Sequence, residues 1–141
     1  MEFPEDLLYT REHSWARQEE DGRVVIGVTE FVQRELGEIS YVELPREGDK
    51  VSQMEVIGSV ESIRGVTEIY SPLSGKVVEV NELLLDDPTI INDDPYGEGW
   101  IAVMEMEDPS ELDRLMDAWD YQALIERELE GASFDLDEEE E

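Results

Sequence analysis

Cysteine is absent from this 141-residue chain, lysine occurs only at Lys50 and Lys76, and His13 is the single histidine. Without thiols there is no disulfide framework and no thiolate metal site, which accords with a reducing compartment. Cations of any kind are scarce: 10 Lys and Arg stand against 39 Asp and Glu, a formal charge of −29. Phosphate backbones and anionic lipid surfaces repel such a chain, so nucleic acid and membranes are excluded as partners, and mutual repulsion favours a monomer. No apolar run approaches the roughly 20 residues a membrane helix needs. The opening Met1-Glu2-Phe3-Pro4-Glu5-Asp6 lacks the basic and then apolar regions of a secretory signal, and is too acidic for a mitochondrial transit peptide. These absences together predict a cytoplasmic protein.

Catalytic constellations are missing too. There is no Ser-His-Asp or Cys-His set and no glycine-rich phosphate loop, and a lone histidine is ordinarily structural or exposed. Asn92-Asp93-Asp94-Pro95 gathers oxygen ligands but lacks the EF-hand spacing, with its fixed glycine and distal glutamate, and reads as a turn. No catalytic residue and no metal site is assigned.

What is present is a series of short β-branched segments separated by Gly, Pro and Asn. Asp21-Gly22 is a turn signal before the strand Arg23 to Val28. Leu8-Tyr9 and Trp15 predict edge strands around a polar turn. Thr29 is placed to cap a short helix, Glu30 to Leu36, which Gly37 stops. Further strands are expected over Ile39 to Leu44, from Lys50-Val51, over Val77 to Asn81 and over Trp100 to Met106, with Leu83-Leu84-Leu85 as a buried turn. Asp108 with Pro109 and Glu111 makes a capping arrangement for a helix carrying Leu112, Leu115, Met116 and Trp119 on one face. Tyr121, Leu124 and Ile125 fall out of phase with that face, so two helices meet near Ala118 to Asp120. Many short strands with few helices predict an all-β sandwich or barrel. One domain spans 1–130, and 131–141 reads as a solvated, disordered acidic tail.

The stretch from Gly58 to Gly75 organises the rest. Val56-Ile57 with Val60, and Ile69-Tyr70, predict two short strands, with Glu61, Ser62, Arg64, Gly65 and Thr67 at an exposed tip. Pro72 and Gly75 then turn the chain. Glu61 and Glu68 on such a solvated turn have no pocket to separate their pKa values and form no acid/base pair.

These residues carry a resemblance. Glu61-Ser62-Ile63-Arg64, then Tyr70-Ser71-Pro72-Leu73-Ser74-Gly75, then Glu79-Val80-Asn81, resemble the attachment hairpin of the glycine cleavage system H proteins, whose pattern is Glu-Ser-Val-Lys, Tyr-x-Pro-x-Ser-Gly and Glu-Val-Asn. Ile91 to Trp100 resembles the family's second signature and Tyr9 to Trp15 its opening, in register from about residue 4 to residue 127. The resemblance implies a barrel-sandwich hybrid, lipoyl-domain-like, with short peripheral and C-terminal helices. It implies a carrier rather than an enzyme. In the family a lipoyl arm takes an aminomethyl group between glycine decarboxylase, aminomethyltransferase and dihydrolipoamide dehydrogenase, and the arm is installed by a lipoate ligase or lipoyl transferase. A rigid fold presents the tethered group at high local concentration to each partner. In the family His13 lies near the surface where the arm rests.

The family's lipoylated lysine falls at Arg64 here, with Glu61 and Ser62 flanking it. Lipoate is joined to an amine that must lose its proton to attack, whereas a guanidinium stays charged and delocalised. Lipoate, the family's cofactor, is therefore expected to be absent from this chain. Lys50 and Lys76 do not occupy the attachment position. Three readings follow: an H-protein-like carrier blocked at residue 64, a non-carrier paralogue that binds the same enzymes, and a carrier modified at Lys76 or Lys50.

Overall fold

The computed structural model describes residues 1–140, with side chains through Leu129. The acidic segment 131–141 lies outside the described side chains, and no helix among the described residues is long and apolar enough to cross a membrane.

The strand at the centre is set by its own sequence. In β3 (Arg23–Val28), every residue after Arg23 is buried. Val24, Ile26 and Val28 face the main core, while Val25 faces a second cluster with Trp15. Burial on both faces is why this strand reads as an unbroken apolar run rather than an alternating one. Around it, β1 (Leu8–Tyr9) and β2 (Ser14–Gln18) form the predicted edge, with Trp15 directly opposite Gly27. A Cβ on Gly27 would lie 2.5 Å from the Trp15 ring, so glycine there makes room for the indole. The antiparallel sheet is completed by β9 (Ala102–Met106), β8 (Gly75–Val80) and β5 (Lys50–Val51), in the order β1-β2-β3-β9-β8-β5. A second, three-stranded sheet, β4-β6-β7, is built from β4 (Tyr41–Glu43), β6 (Val56–Ser62) and β7 (Gly65–Tyr70). Val42, Val60 and Ile69 from this sheet close onto Ile26, Val77 and Met104 from the larger one, giving the all-β sandwich core.

Short helices plug the ends. α1 (Glu30–Leu36) ends at Gly37, whose φ of 75° suits glycine and whose N–H returns to the Gln33 carbonyl at 2.8 Å. Its start departs from expectation. Thr29 sits at the cap but its side chain does not cap the helix; it pairs instead with the Tyr121 hydroxyl at 2.7 Å, and the Glu30 N–H donates to the Tyr96 hydroxyl at 3.0 Å. In α2 (Leu83–Asp86) only Leu84 is buried, so the expected buried Leu83-Leu84-Leu85 turn is one buried leucine between two exposed ones. One helical turn points only a single side of the run inward. α3 (Ile90–Asp93) buries Ile91.

The C-terminal helix pair divides as predicted, a few residues early. Pro109–Arg114 is a 3-10 turn capped by Asp108, whose carboxylate accepts the Ser110 N–H at 3.0 Å. Met116 then runs extended, exchanging backbone hydrogen bonds with Tyr9 at 2.7 and 2.8 Å, before α4 (Ala118–Glu140) begins. That break resets the helical phase. Trp119, expected on the buried face, is 80 % exposed, and Ala118, Tyr121 and Ile125 are the residues that pack. Glu111 does not complete a capping box; its carboxylate accepts the Ser74 N–H and hydroxyl at 2.8 and 2.7 Å.

Candidate functional site

The β6–β7 hairpin is longer and its tip tighter than the sequence suggests. Pairing runs through Glu61↔Val66 to Ser62↔Gly65, so the loop is only Ile63-Arg64. Glu61 and Thr67, read as tip residues, lie within the strands. Glu68, read as flanking the tip, sits opposite Ser59. The polarity of Glu61 and Glu68 reflects the solvated face of a three-stranded sheet rather than a loop, while Thr67, opposite buried Val60, lies on the other face. Gly65 closes the turn at φ 153°, a conformation side chains rarely adopt. Ile63 at the apex is fully exposed.

The base of this turn is anchored. Ser62, 8 % exposed, donates its hydroxyl to the Leu36 carbonyl at 2.6 Å and accepts the Arg64 N–H at 3.0 Å. One side chain thereby satisfies the end of α1 and shapes the tip. The Glu61 carbonyl accepts both the Ser40 N–H (2.8 Å) and the Ser40 hydroxyl (3.1 Å). Arg64 itself lies along Gly37, where a Cβ would sit 3.4 Å from its Cζ. Asn92 fixes Gly37 in turn: its Nδ2 donates to the Gly37 carbonyl at 2.8 Å and its Oδ1 accepts the Ile39 N–H at 2.9 Å. Of the three site residues named from sequence, Ser62 and Arg64 are thus in direct contact. Glu61 contributes its backbone, and Arg64 forms no ion pair among the described residues.

Gly37, Leu36, Ser40 and Asn92 were not legible as site residues. Gly37 read as a helix stop and Asn92 as part of a turn, and nothing in sequence spacing links either to residue 64.

No amine stands at the tip. Lys50 and Lys76 are both exposed and lie directly opposite each other on β5 and β8, in the larger sheet. The residues at the hairpin apex therefore do not fit an amide-linked prosthetic group.

His13 belongs to different surroundings. Its ring packs on Phe31 at 4.4 Å between centroids and its Nδ1 hydrogen-bonds the Tyr121 hydroxyl at 2.8 Å. Arg64 instead rests at the opposite end of α1. Burial lowers the imidazole from its ordinary value of 6.5 to about 4, so it is neutral near pH 7. Glu128, 3.7 Å from Nε2, has its carboxyl pushed up, first by burial and then by Glu35 and Glu12. Burial likewise raises the Tyr121 hydroxyl far above its usual range, keeping it a proton donor.

A β-sandwich that presents one exposed hairpin apex from a clamped root is a lipoyl-domain-like carrier architecture. The glycine cleavage H-protein family model matches residues 7–128, and this chain belongs to that family. It is 52 % identical over 128 residues to the glycine cleavage system H protein of Anaeromyxobacter sp. (strain K), covering 91 % of this chain and 99 % of that one. It is 51 % identical over 125 residues to the H protein of Coprothermobacter proteolyticus, covering 89 % and 98 %. A crystal structure of a glycine cleavage system H protein from Mycobacterium marinum superposes with a TM-score of 0.76 at 35 % identity, covering 85 % of this chain and 96 % of that one.

Proposed function

We propose that this chain is a non-catalytic, carrier-type component of the glycine cleavage system whose working end is the β6–β7 apex, and that residue 64 is the family's attachment position. The observation that carries this reading is the apex itself, with Ile63 fully exposed and Arg64 beside it on a root held by Ser62. A guanidinium remains protonated and delocalised and does not accept an acyl group as a lysine amine does. The chain is accordingly read as not lipoylated at residue 64, and no transfer step is assigned to it. It keeps the surfaces that meet glycine decarboxylase, aminomethyltransferase, dihydrolipoamide dehydrogenase and a lipoate ligase or lipoyl transferase, and acts as a cytoplasmic monomer.

A second reading is favoured by Arg64 having no ion-pair partner among the described residues. In it the protein is a non-carrier paralogue, and the guanidinium receives a carboxylate of one of those enzymes in a charge-assisted pair.

Intact mass of the wild type and of Arg64→Lys, after reaction with a lipoate ligase and excess lipoate, tests both. A lipoyl mass gain confined to Arg64→Lys supports the blocked-carrier reading. A gain on the wild type overturns it and points to Lys50 or Lys76. No gain on either means that the hairpin is not a ligase substrate, and the non-carrier reading replaces it.

A further inference from the structure

Arg11 and Arg114, about a hundred residues apart in sequence, line the same surface cavity. It has a volume of about 270 Å³ and is bounded by Tyr9, Thr10, Gln53, Met54, Leu115 and Met116 as well. None of its lining residues is acidic, although Glu12 and Asp113 adjoin the two arginines in sequence. In a chain of charge −29 this is a local inversion of sign. The hollow beside β4 shows what the composition ordinarily produces: Glu43, Glu47 and Glu82 line it with Arg46.

The cavity is held in shape by its neighbours. Gln53 donates through Nε2 to the carbonyls of Pro72 (3.0 Å) and Glu111 (3.3 Å), which turns its Oε1 toward Arg114 Nη1 at 3.4 Å. Met54 is kept at φ 68°, uncommon for a side-chain-bearing residue, by a turn in which its own N–H reaches the Ser71 carbonyl at 2.7 Å. Two of its lining residues, Tyr9 and Met116, are joined by a backbone bridge. Neither Arg11 nor Arg114 has an ion-pair partner among the described residues.

We propose that this cavity binds a small organic carboxylate with a short apolar body. The two guanidiniums take the carboxylate, for which their planar donor forks are suited. Met54, Leu115 and Met116 cover the apolar part. The volume is just below the range of about 300–1,000 Å³ typical of drug-sized ligands, which selects a small acid over a nucleotide. The lining shares no residue with the hairpin apex, so this site stands or falls independently of the function proposed above.

The test is a titration of the full ¹⁵N-labelled chain with hexanoate and, separately, with neutral hexanol. Saturating amide shifts confined to Thr10, Arg11, Gln53, Met54, Leu115 and Met116 are expected with hexanoate, with hexanol binding at least about tenfold more weakly. Arg11→Met/Arg114→Met, which keeps the apolar stems, loses the hexanoate response, while Arg23→Met, on β3, retains it. Equal binding of hexanol, shifts spread over the surface, or a response unchanged in the double variant would overturn the proposal. Should the double variant not fold, the comparison of hexanoate with hexanol on the wild-type chain still decides it.

Discussion

The Ser62 hydroxyl donates to the Leu36 carbonyl at 2.6 Å across 26 residues of sequence, tying the apex of the β6–β7 hairpin to the end of α1. The same oxygen accepts the Arg64 N–H. Replacing Ser62 with Ala strands both groups, and an orphaned buried partner costs about 1–3 kcal/mol. Ser62→Ala is therefore expected to lower the unfolding free energy by about 1–2 kcal/mol in urea. It also speeds hydrogen exchange of the Arg64 amide. Unaltered exchange at Arg64 would show that the hydroxyl does not hold the tip.

Asn92 acts one layer deeper. Its amide bridges Ile39 N–H and the Gly37 carbonyl, and through Gly37 supports the surface on which Arg64 lies. Asn92→Ala should destabilise the fold by about 2–3 kcal/mol, from three lost hydrogen bonds, to Ile39, Gly37 and the Gln33 side chain, of about 1 kcal/mol each. Amide shifts in NMR spectra should spread from Gly37 to Arg64. A change restricted to α3 would contradict this coupling.

Gly58 sits where β6 passes β4. A Cβ there would lie 2.1 Å from the Glu43 carbonyl oxygen, which is backbone and belongs to a paired strand. Gly58→Ala must separate the strands, and overpacking of this kind costs about 1–3 kcal/mol or more. Thermal unfolding should show the loss, and because Gly58 is not among the positive-φ glycines the loss is steric, from the Glu43 carbonyl, rather than conformational.

His13 gives the fold a defined acid response. Its folded-state value of about 4 lies below its ordinary 6.5 because burial disfavours the imidazolium. Between those values the unfolded chain binds the proton more tightly. The stability contribution is complete above about pH 6.5, falls as pH drops toward 4, and is spent below it, a span on the order of 3 kcal/mol. His13→Asn tolerates the positive φ of 68° at this position and removes the titrating group. Urea melts of the variant should be flatter than wild type from pH 6.5 to pH 4; parallel curves would assign the acid sensitivity to carboxylates such as Glu128.

Local chemistry was legible where neighbours in sequence decide the outcome. The β-branched run of β3, the Gly37 stop and the phase break before Tyr121 each follow from adjacent residues. What stayed hidden depends on distant partners. Thr29 looks like a cap, but Tyr121, 92 residues on, claims its hydroxyl. Trp119 looks like core, but the Tyr9–Met116 bridge resets the helix and turns the indole outward. The polar residues of the hairpin looked like a loop because alternation on a half-solvated sheet and a solvated turn have similar composition. The hairpin and its exposed tip were legible from the residues themselves, while their foundation in Leu36, Gly37 and Asn92 was not, since those contacts are set by packing between layers.

Lys50 and Lys76 face each other across β5 and β8. Because lysine occurs nowhere else, an amine-directed linker has one patch on the larger sheet, besides the Met1 terminus, through which to couple. Immobilisation by that chemistry is oriented without engineering: the chain is grafted by its larger sheet or by its first residue, and the β6–β7 apex carries no coupling site. A lysine introduced at residue 64 would create a third side-chain anchor at the apex itself.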